Sequence, residues 1–242
     1  MKFLKIAVLG LVILLIAGYF VVAYALGAVV KTGVNTFGPK LTQSKVELAG
    51  ANLSPLTGKG SLSGLTVGNP QGWSDGRAFY LGRISLDVEP GSVFGETVVI
   101  NEIVIDAPEF NYETRILSSN IKDLLKNIES YTGAGGPEPA AKDGKPRRFI
   151  VKKFLLTNGK ATVGLGANAI AVKLPTITLT DLGTNVGGHT AGQMGGVILK
   201  EVLGQVVVAT ASAVQSGELF VDKLKGAAKD AGDALKKLFD KK

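Results

Sequence analysis

The chain has 242 residues, 45% of them hydrophobic and 19% charged, with 32 glycines and few aromatics. That length is ample for a packed core and, with this composition, excludes a disordered chain. Cysteine is absent, which removes disulfides and thiol chemistry, and a net charge of +7 spread along the sequence supplies no dense nucleic-acid footprint.

Ile6 to Val30 is an unbroken run of uncharged, mostly apolar residues between Lys2 and Lys5 on one side and Lys31 on the other. A helix over this run exceeds the ~30 Å hydrocarbon core of a bilayer at about 1.5 Å per residue. Two readings are open. Ala23-Tyr24-Ala25 fits a signal-peptidase site that would leave a chain beginning at Leu26, but signal h-regions run only ~7 to 15 residues, so a retained anchor over 1–31 is favoured. The two N-terminal lysines orient the remainder outside the cytoplasm. An exported domain without cysteine suits a bacterial envelope protein.

Gly33 to Thr42, with Gly38 and Pro39, reads as a short connection. Strands are predicted at Lys45–Ala49 and Leu62–Val67, around the turn formers Ser54-Pro55 and Gly58-Lys59-Gly60. The clearest alternation follows, with Ile84, Leu86 and Val88 set against Arg83, Ser85, Asp87 and Glu89. The next strand, Thr97–Ile105, changes apolar phase from Val98 and Ile100 to Ile103 and Ile105, which predicts a bulge near Asn101 and Glu102. Ile84, Leu86, Val88, Ile100, Ile103 and Ile105 therefore share one apolar face, the candidate site, expected to meet the C-terminal helices or a lipid-accessible cleft. Pro108 closes this strand, and Glu109–Glu113 returns as another.

Ile121, Leu124, Leu125 and Ile128 predict a helix over Asn120–Tyr131, capped by Ser118 or Ser119. Gly133–Arg148 holds three prolines without apolar periodicity and reads as a linker. Strand character resumes in Phe149–Thr157, Gly159–Leu165 and Ile170–Leu179. Across the linker Ile100, Ile103, Ile105, Pro108, Phe110 and Tyr112 match Val151, Phe154, Leu156, Gly159, Ala161 and Val163 at a constant offset, either a repeat or the likeness of any two hairpins.

Gln193–Val214 is a glycine- and alanine-rich helix in which Lys200 and Glu201 argue against a second span. Gly188, Gly192 and Gly196 fit either close helix packing or a frayed start. Glu218–Phe239 is an amphipathic helix with Phe220, Leu224, Leu235 and Leu238 on one face, expected to cap the sheet or to lie on an anionic membrane.

No motif supports catalysis. His189 has no partner histidine or cysteine and is expected in a loop. Gly164-Leu165-Gly166-Ala167-Asn168-Ala169 spells a dinucleotide fingerprint but leads into a strand, so it reads as a hairpin turn. Ser61 and Ser63 lie outside any nucleophile elbow, and Asp87, Glu89, Glu102, Asp106 and Glu109 read as a solvated face. No catalytic residue, metal site or cofactor is expected.

Leu81–Tyr112 followed by Ser119-Asn120-Ile121-Lys122-Asp123-Leu124-Leu125 resembles the AsmA family of envelope proteins. The resemblance lies in element order: an anchor, an alternating strand ending in Pro90-Gly91-Ser92-Val93-Phe94, the strand Val98–Ile105, Pro108, a short strand to Tyr112 and an asparagine-led helix. A weaker copy recurs at Phe149–Val163, and Leu174-Pro175-Thr176-Ile177-Thr178-Leu179-Thr180-Asp181-Leu182-Gly183 is similar to the end of short members. It implies an anchored periplasmic protein whose strands curl into an apolar groove, with membrane lipids or a larger membrane protein complex as partners and no nucleic acid.

The expected fold is α+β: a transmembrane helix, a curved and mainly antiparallel groove-like sheet, a few packed helices and the amphipathic C-terminal helix. The expected organisation is an anchor over 1–31, a first β-rich repeat with its helix over 32–132, a linker over 133–148, a second repeat over 149–182 and a helical region over 183–242. About ten strands at ~4.8 Å spacing would reach ~48 Å, too short for a conduit across the periplasm.

Overall fold

A computed structural model describes residues 2–115, 118–133, 147–164 and 169–215. The expected amphipathic helix Glu218–Phe239, most of the linker and the Leu165–Asn168 turn lie outside the described residues. The fold is α+β: a long apolar N-terminal helix, an open, curved, mixed sheet and a helix toward the C-terminus.

Helix α1 runs Lys2–Thr42, past the expected connection at Gly33. It continues because its second half has a partner. Phe3 to Gly18 are exposed, whereas from Tyr19 onward half-buried positions recur and Leu41 is buried. Strand β1 (Val46–Leu53) doubles back antiparallel to this half. Pro39 in the last turn has no N–H for the Asn35 carbonyl, and the Asn35 side chain ties this turn to β1, its Oδ1 accepting from the Leu48 N–H at 2.7 Å. Gln43 at φ 52° then ends the helix.

Two glycines allow this approach. A Cβ on Gly27 would lie 2.2 Å from the Ala51 carbonyl oxygen, and one on Gly38 would meet Val46 Cγ1 at 2.6 Å. Gly→Ala in a helix ordinarily stabilises by roughly 1 kcal/mol. At Gly27 the sign reverses, since the clash is with fixed backbone, and Gly27→Ala is expected to cost about 1–3 kcal/mol in chemical denaturation. Gly18→Ala, with nothing within 4 Å, is the control. Equal stability of the two variants would show that α1 does not lean on β1.

The sheet continues through β2 (Lys59–Gly68), β3 (Arg77–Val88), β4 (Thr97–Asp106), β5 (Glu109–Tyr112), β6 (Arg148–Thr157), β7 (Lys160–Val163), β8 (Ile170–Lys173), β9 (Ile177–Leu182) and β10 (His189–Thr190). Most neighbours are antiparallel, but β4 pairs β6 and β5 pairs β7 in parallel. Parallel pairing needs a long crossover, and helix α2 (Asn120–Gly133) lies in it. Lys59 and Gly60, expected in the turn, begin β2, and His189 pairs Phe149 in β10 instead of standing in a loop. The expected strand Ile170–Leu179 breaks at Leu174–Thr176, where Pro175 has no N–H for a ladder.

That break belongs to a series. The chain pauses at Ala107-Pro108 between β4 and β5, and at Asn158-Gly159 between β6 and β7, with Ala107 at φ 49° and Asn158 at φ 55°. The halves stay collinear because β3 pairs β5 through Phe79 and Tyr80 and β4 through Ile84 to Val88. Ten strands thus form six ribbons, roughly 29 Å across at ~4.8 Å spacing, about three-fifths of the expected width.

The constant-offset repeat is the parallel register itself. Ile100 pairs Val151, Ile103 pairs Phe154, Ile105 pairs Leu156, Phe110 pairs Ala161 and Tyr112 pairs Val163. The two copies lie side by side and carry complementary polar groups at matched positions. Lys153 Nζ stands 2.9 Å from Glu102, and Lys152 Nζ donates to Asn101 Oδ1 at 2.9 Å.

Two helices cover the β5/β7 end of the inner face. Ile121, Leu124 and Ile128 of α2 are buried, and Ser119 Oγ accepts from the Lys122 N–H as its cap. Helix α3 (Ala191–Gln215) starts at a reciprocal cap, the Gln193 N–H donating to Thr190 Oγ1 and the Thr190 N–H to Gln193 Oε1. By length and composition α3 is a second candidate span. Its buried Met194, Val202, Leu203 and Val206, and an ion pair from Lys200 to Glu129 at 2.9 Å, fit it to the core. Gly196 allows the α2 contact, since a Cβ there would meet Thr132 Cγ2 at 2.4 Å.

Candidate functional site

The six candidate groove residues converge on the inner face, and each pairs with another. Ile84 opposes Ile105, Leu86 opposes Ile103, and Val88 opposes Ile100. The expected bulge makes this possible. Asp87 pairs Glu102 while Val88 pairs Ile100, so Asn101 is the extra residue that restores the inward phase. A matching irregularity crosses the next strands at Lys152 and at Asp181, which sits at φ 55°.

These pairs extend into three apolar rows. The first runs Leu62, Ile84, Ile105, Leu156, Ile177; the second Leu86, Ile103, Phe154, Leu179; the third Val88, Ile100, Val151, Leu182. Ile84, Val88 and Ile105 are buried, whereas Leu86, Ile100 and Ile103 are half-buried, as are Leu179 and Leu182. The sequence reading missed the contribution of β6 and β9, although the repeat marked Val151, Phe154 and Leu156 as equivalents of residues already chosen.

The outer face carries the carboxylates in local pairings. Glu89 stands 3.7 Å from Lys152 Nζ, and Glu109 accepts from Arg77 Nη2 at 2.8 Å. Hydrogen bonds from Asn158 Nδ2 and then Thr157 Oγ1 hold the Asp106 carboxyl below its ordinary range, tying the two chain breaks together. Val104 and Leu155 share this face, so it is not uniformly polar. Among the described residues there is no cluster of three or more potential metal ligands.

A buried polar network closes the opposite end. Glu113 accepts from Asn69 Nδ2 at 2.7 Å and from Ser74 Oγ, and Asn120 bridges Asn69, Asn111 and the Glu113 backbone. Trp73 donates to Asp123 Oδ2 at 2.8 Å beneath the Arg115 guanidinium. The asparagine-led helix start was the only sequence signal for this cluster.

At the other end of the ribbons, the turns carry exposed apolar tips. Leu56 is 76% exposed in the β1–β2 turn, Phe94 89% in the 3-10 turn Pro90–Phe94, and Val186 58% in the turn after β9. The first two turns touch through the Val88 N–H donating to Gly58 O at 3.0 Å, and the third reaches β6 through Arg148 donating to Gly188 O at 2.9 Å. The exposed half of α1 projects from this end, where Tyr19 Oη donates to Ser54 Oγ at 3.2 Å. Between α1 and the rim of β1–β3 lies a cleft of about 830 Å³. Its lining includes Lys31, Lys59 and Arg83, the hydroxyls of Ser54, Ser61 and Ser85, and the rings of Tyr19, Phe20 and Tyr24, and no carboxylate among the described residues. The chain matches no protein-family model and no curated protein sequence.

Proposed function

We propose that this is a non-enzymatic, membrane-anchored envelope protein of AsmA-like type, single-pass in a bacterial inner membrane with its sheet in the periplasm. In this reading it handles lipid, or assists outer-membrane assembly, through the apolar inner face of the sheet. The observation that carries the reading is the set of three contiguous apolar rows, half-buried at Leu86, Ile100 and Ile103, on an open sheet packed against the helix that forms a candidate membrane span. Half-buried leucine and isoleucine on a concave strand face match the chemistry of acyl chains, with roughly 25 cal/mol released per Å² of apolar surface removed from water. The non-enzymatic part draws support from carboxylates occupied in surface pairings.

The test is native mass spectrometry of the gently solubilised full chain beside Leu86→Ser/Ile103→Ser. The parent is expected to retain long-chain phospholipid and the variant to lose most of it while still melting cooperatively. Retention unchanged by the two serines would remove the groove from the function. A stoichiometric protein in place of lipid would favour an accessory subunit that stabilises a larger membrane complex.

A further inference from the structure

We propose that the cleft between α1 and the rim of β1–β3 binds the phosphate-bearing headgroup of an anionic phospholipid, drawn from the leaflet on the sheet's side of the membrane. The inference rests on α1 being a membrane span and is independent of the apolar groove, which lies on the other face of the sheet.

Depth comes first. The uncharged stretch of α1 free of the sheet, Ile6 to Gly18, is about 20 Å long at 1.5 Å per residue. A hydrocarbon core of ~30 Å needs about 20 residues, more when the helix tilts. Counted from Ile6, the boundary of the core therefore falls near Ala25, beside the sheet and not below it. Tyrosines are the residues expected at that level, and Tyr24 is 81% exposed. The exposed tips Leu56, Phe94 and Val186 then reach the same plane and press into the interface. A cleft opening at Tyr19, Phe20 and Tyr24 and ending at Lys31 spans the headgroup layer.

Charge comes second. Lys31, Lys59 and Arg83 are exposed and make no ion pair among the described residues, unlike Arg77, Lys152 and Lys153 on the same sheet. The nearest carboxylate in register is Asp87, the strand partner of Lys59, which instead accepts from Asn101 Nδ2 at 3.4 Å. Three cations against one engaged carboxylate leave a positive cleft, and the Ser61 and Ser85 hydroxyls offer donors to phosphate oxygens. A single cation near an anionic surface changes affinity about fivefold, so the three together amount to roughly 100-fold.

The experiment uses the full chain in detergent micelles, titrated with dioctanoyl-phosphatidylglycerol, dioctanoyl-phosphatidylcholine or inorganic phosphate, with bound species read by native mass spectrometry. The parent is expected to take one phosphatidylglycerol in preference to phosphatidylcholine, and phosphate at the same concentration should not displace it. Lys31→Gln/Lys59→Gln/Arg83→Gln should weaken this by roughly 100-fold. Lys122→Gln/Lys126→Gln/Lys160→Gln, which removes the same charge elsewhere, should bind as the parent does. Ser85→Glu, which sets a carboxylate in the cleft without touching a cation, should weaken binding as well. Equal binding of phosphatidylcholine, equal loss in both triple variants, or unimpaired binding by Ser85→Glu would overturn the site. Displacement by phosphate at equal concentration would overturn the lipid assignment in favour of a soluble phosphate ligand. Leu86→Ser/Ile103→Ser should leave this binding intact, so failure of the groove and failure of the cleft are read separately.

Discussion

Phe154→Ala is expected to destabilise the fold by about 3–5 kcal/mol, lowering the melting temperature by on the order of 10 °C. Phe154 is 1% exposed at the centre of the middle apolar row, between Ile103 on β4 and Leu179 on β9. Alanine leaves a void bounded on two sides by ladder hydrogen bonds, so the site cannot collapse to fill it. Leu155 is the informative control. It is one residue away, half-buried and on the opposite face, and Leu155→Ala should cost no more than about 2 kcal/mol. Differential calorimetry of the two variants in one detergent decides the matter. Comparable losses would mean that the sheet buries both faces equally, and the concave-groove reading would lose its basis.

The features legible in the sequence were those with a short period. The β3 alternation, the phase change at Asn101 and the helix from Asn120 each follow from side-chain spacing within one element, and each stands where the spacing put it. Pairing between elements was harder to read. The repeat was visible as matched apolar positions, but nothing local distinguishes two hairpins of similar pattern from two copies stacked in parallel. The distinguishing residues are Asn101 and Glu102 against Lys152 and Lys153, whose complementary polarity makes sense only once the copies are neighbours. The length of α1 was misjudged for a similar reason. Gly38 and Pro39 are helix breakers by propensity, and the packing of Gly27 and Gly38 against β1 overrides that propensity through contacts between segments that are distant along the helix. The cationic cleft was illegible because Lys31, Lys59 and Arg83 belong to three elements and share no motif. The cap Thr190-Ala191-Gly192-Gln193 was available, a threonine with glutamine three residues on, and would have fixed the start of α3.

The second large effect is expected at Asn120, which is 0% exposed and uses its side chain completely. Its Oδ1 accepts from the N–H groups of Glu113 and Ile121 at 2.9 and 2.8 Å, and its Nδ2 donates to Asn69 Oδ1 and the Asn111 carbonyl at 2.8 and 2.7 Å. Asn120→Ala orphans a buried N–H at Glu113 and frees Asn69, whose amide also holds the Glu113 carboxylate. Each buried group left without a partner costs about 1–3 kcal/mol, so about 4 kcal/mol is expected in chemical denaturation. Asn101→Ala also removes two side-chain hydrogen bonds, but at a half-exposed site where water replaces them, and should stay within about 1 kcal/mol. The chain contains one tryptophan, and it sits in this network, so the loss has an optical reading. Release of the loop that carries Asn69 and Ser74 should red-shift Trp73 emission in Asn120→Ala under native conditions, before any global unfolding. A variant that keeps the parent emission and stability would show that the network is ornamental and that α2 is held by Ile121, Leu124 and Ile128 alone.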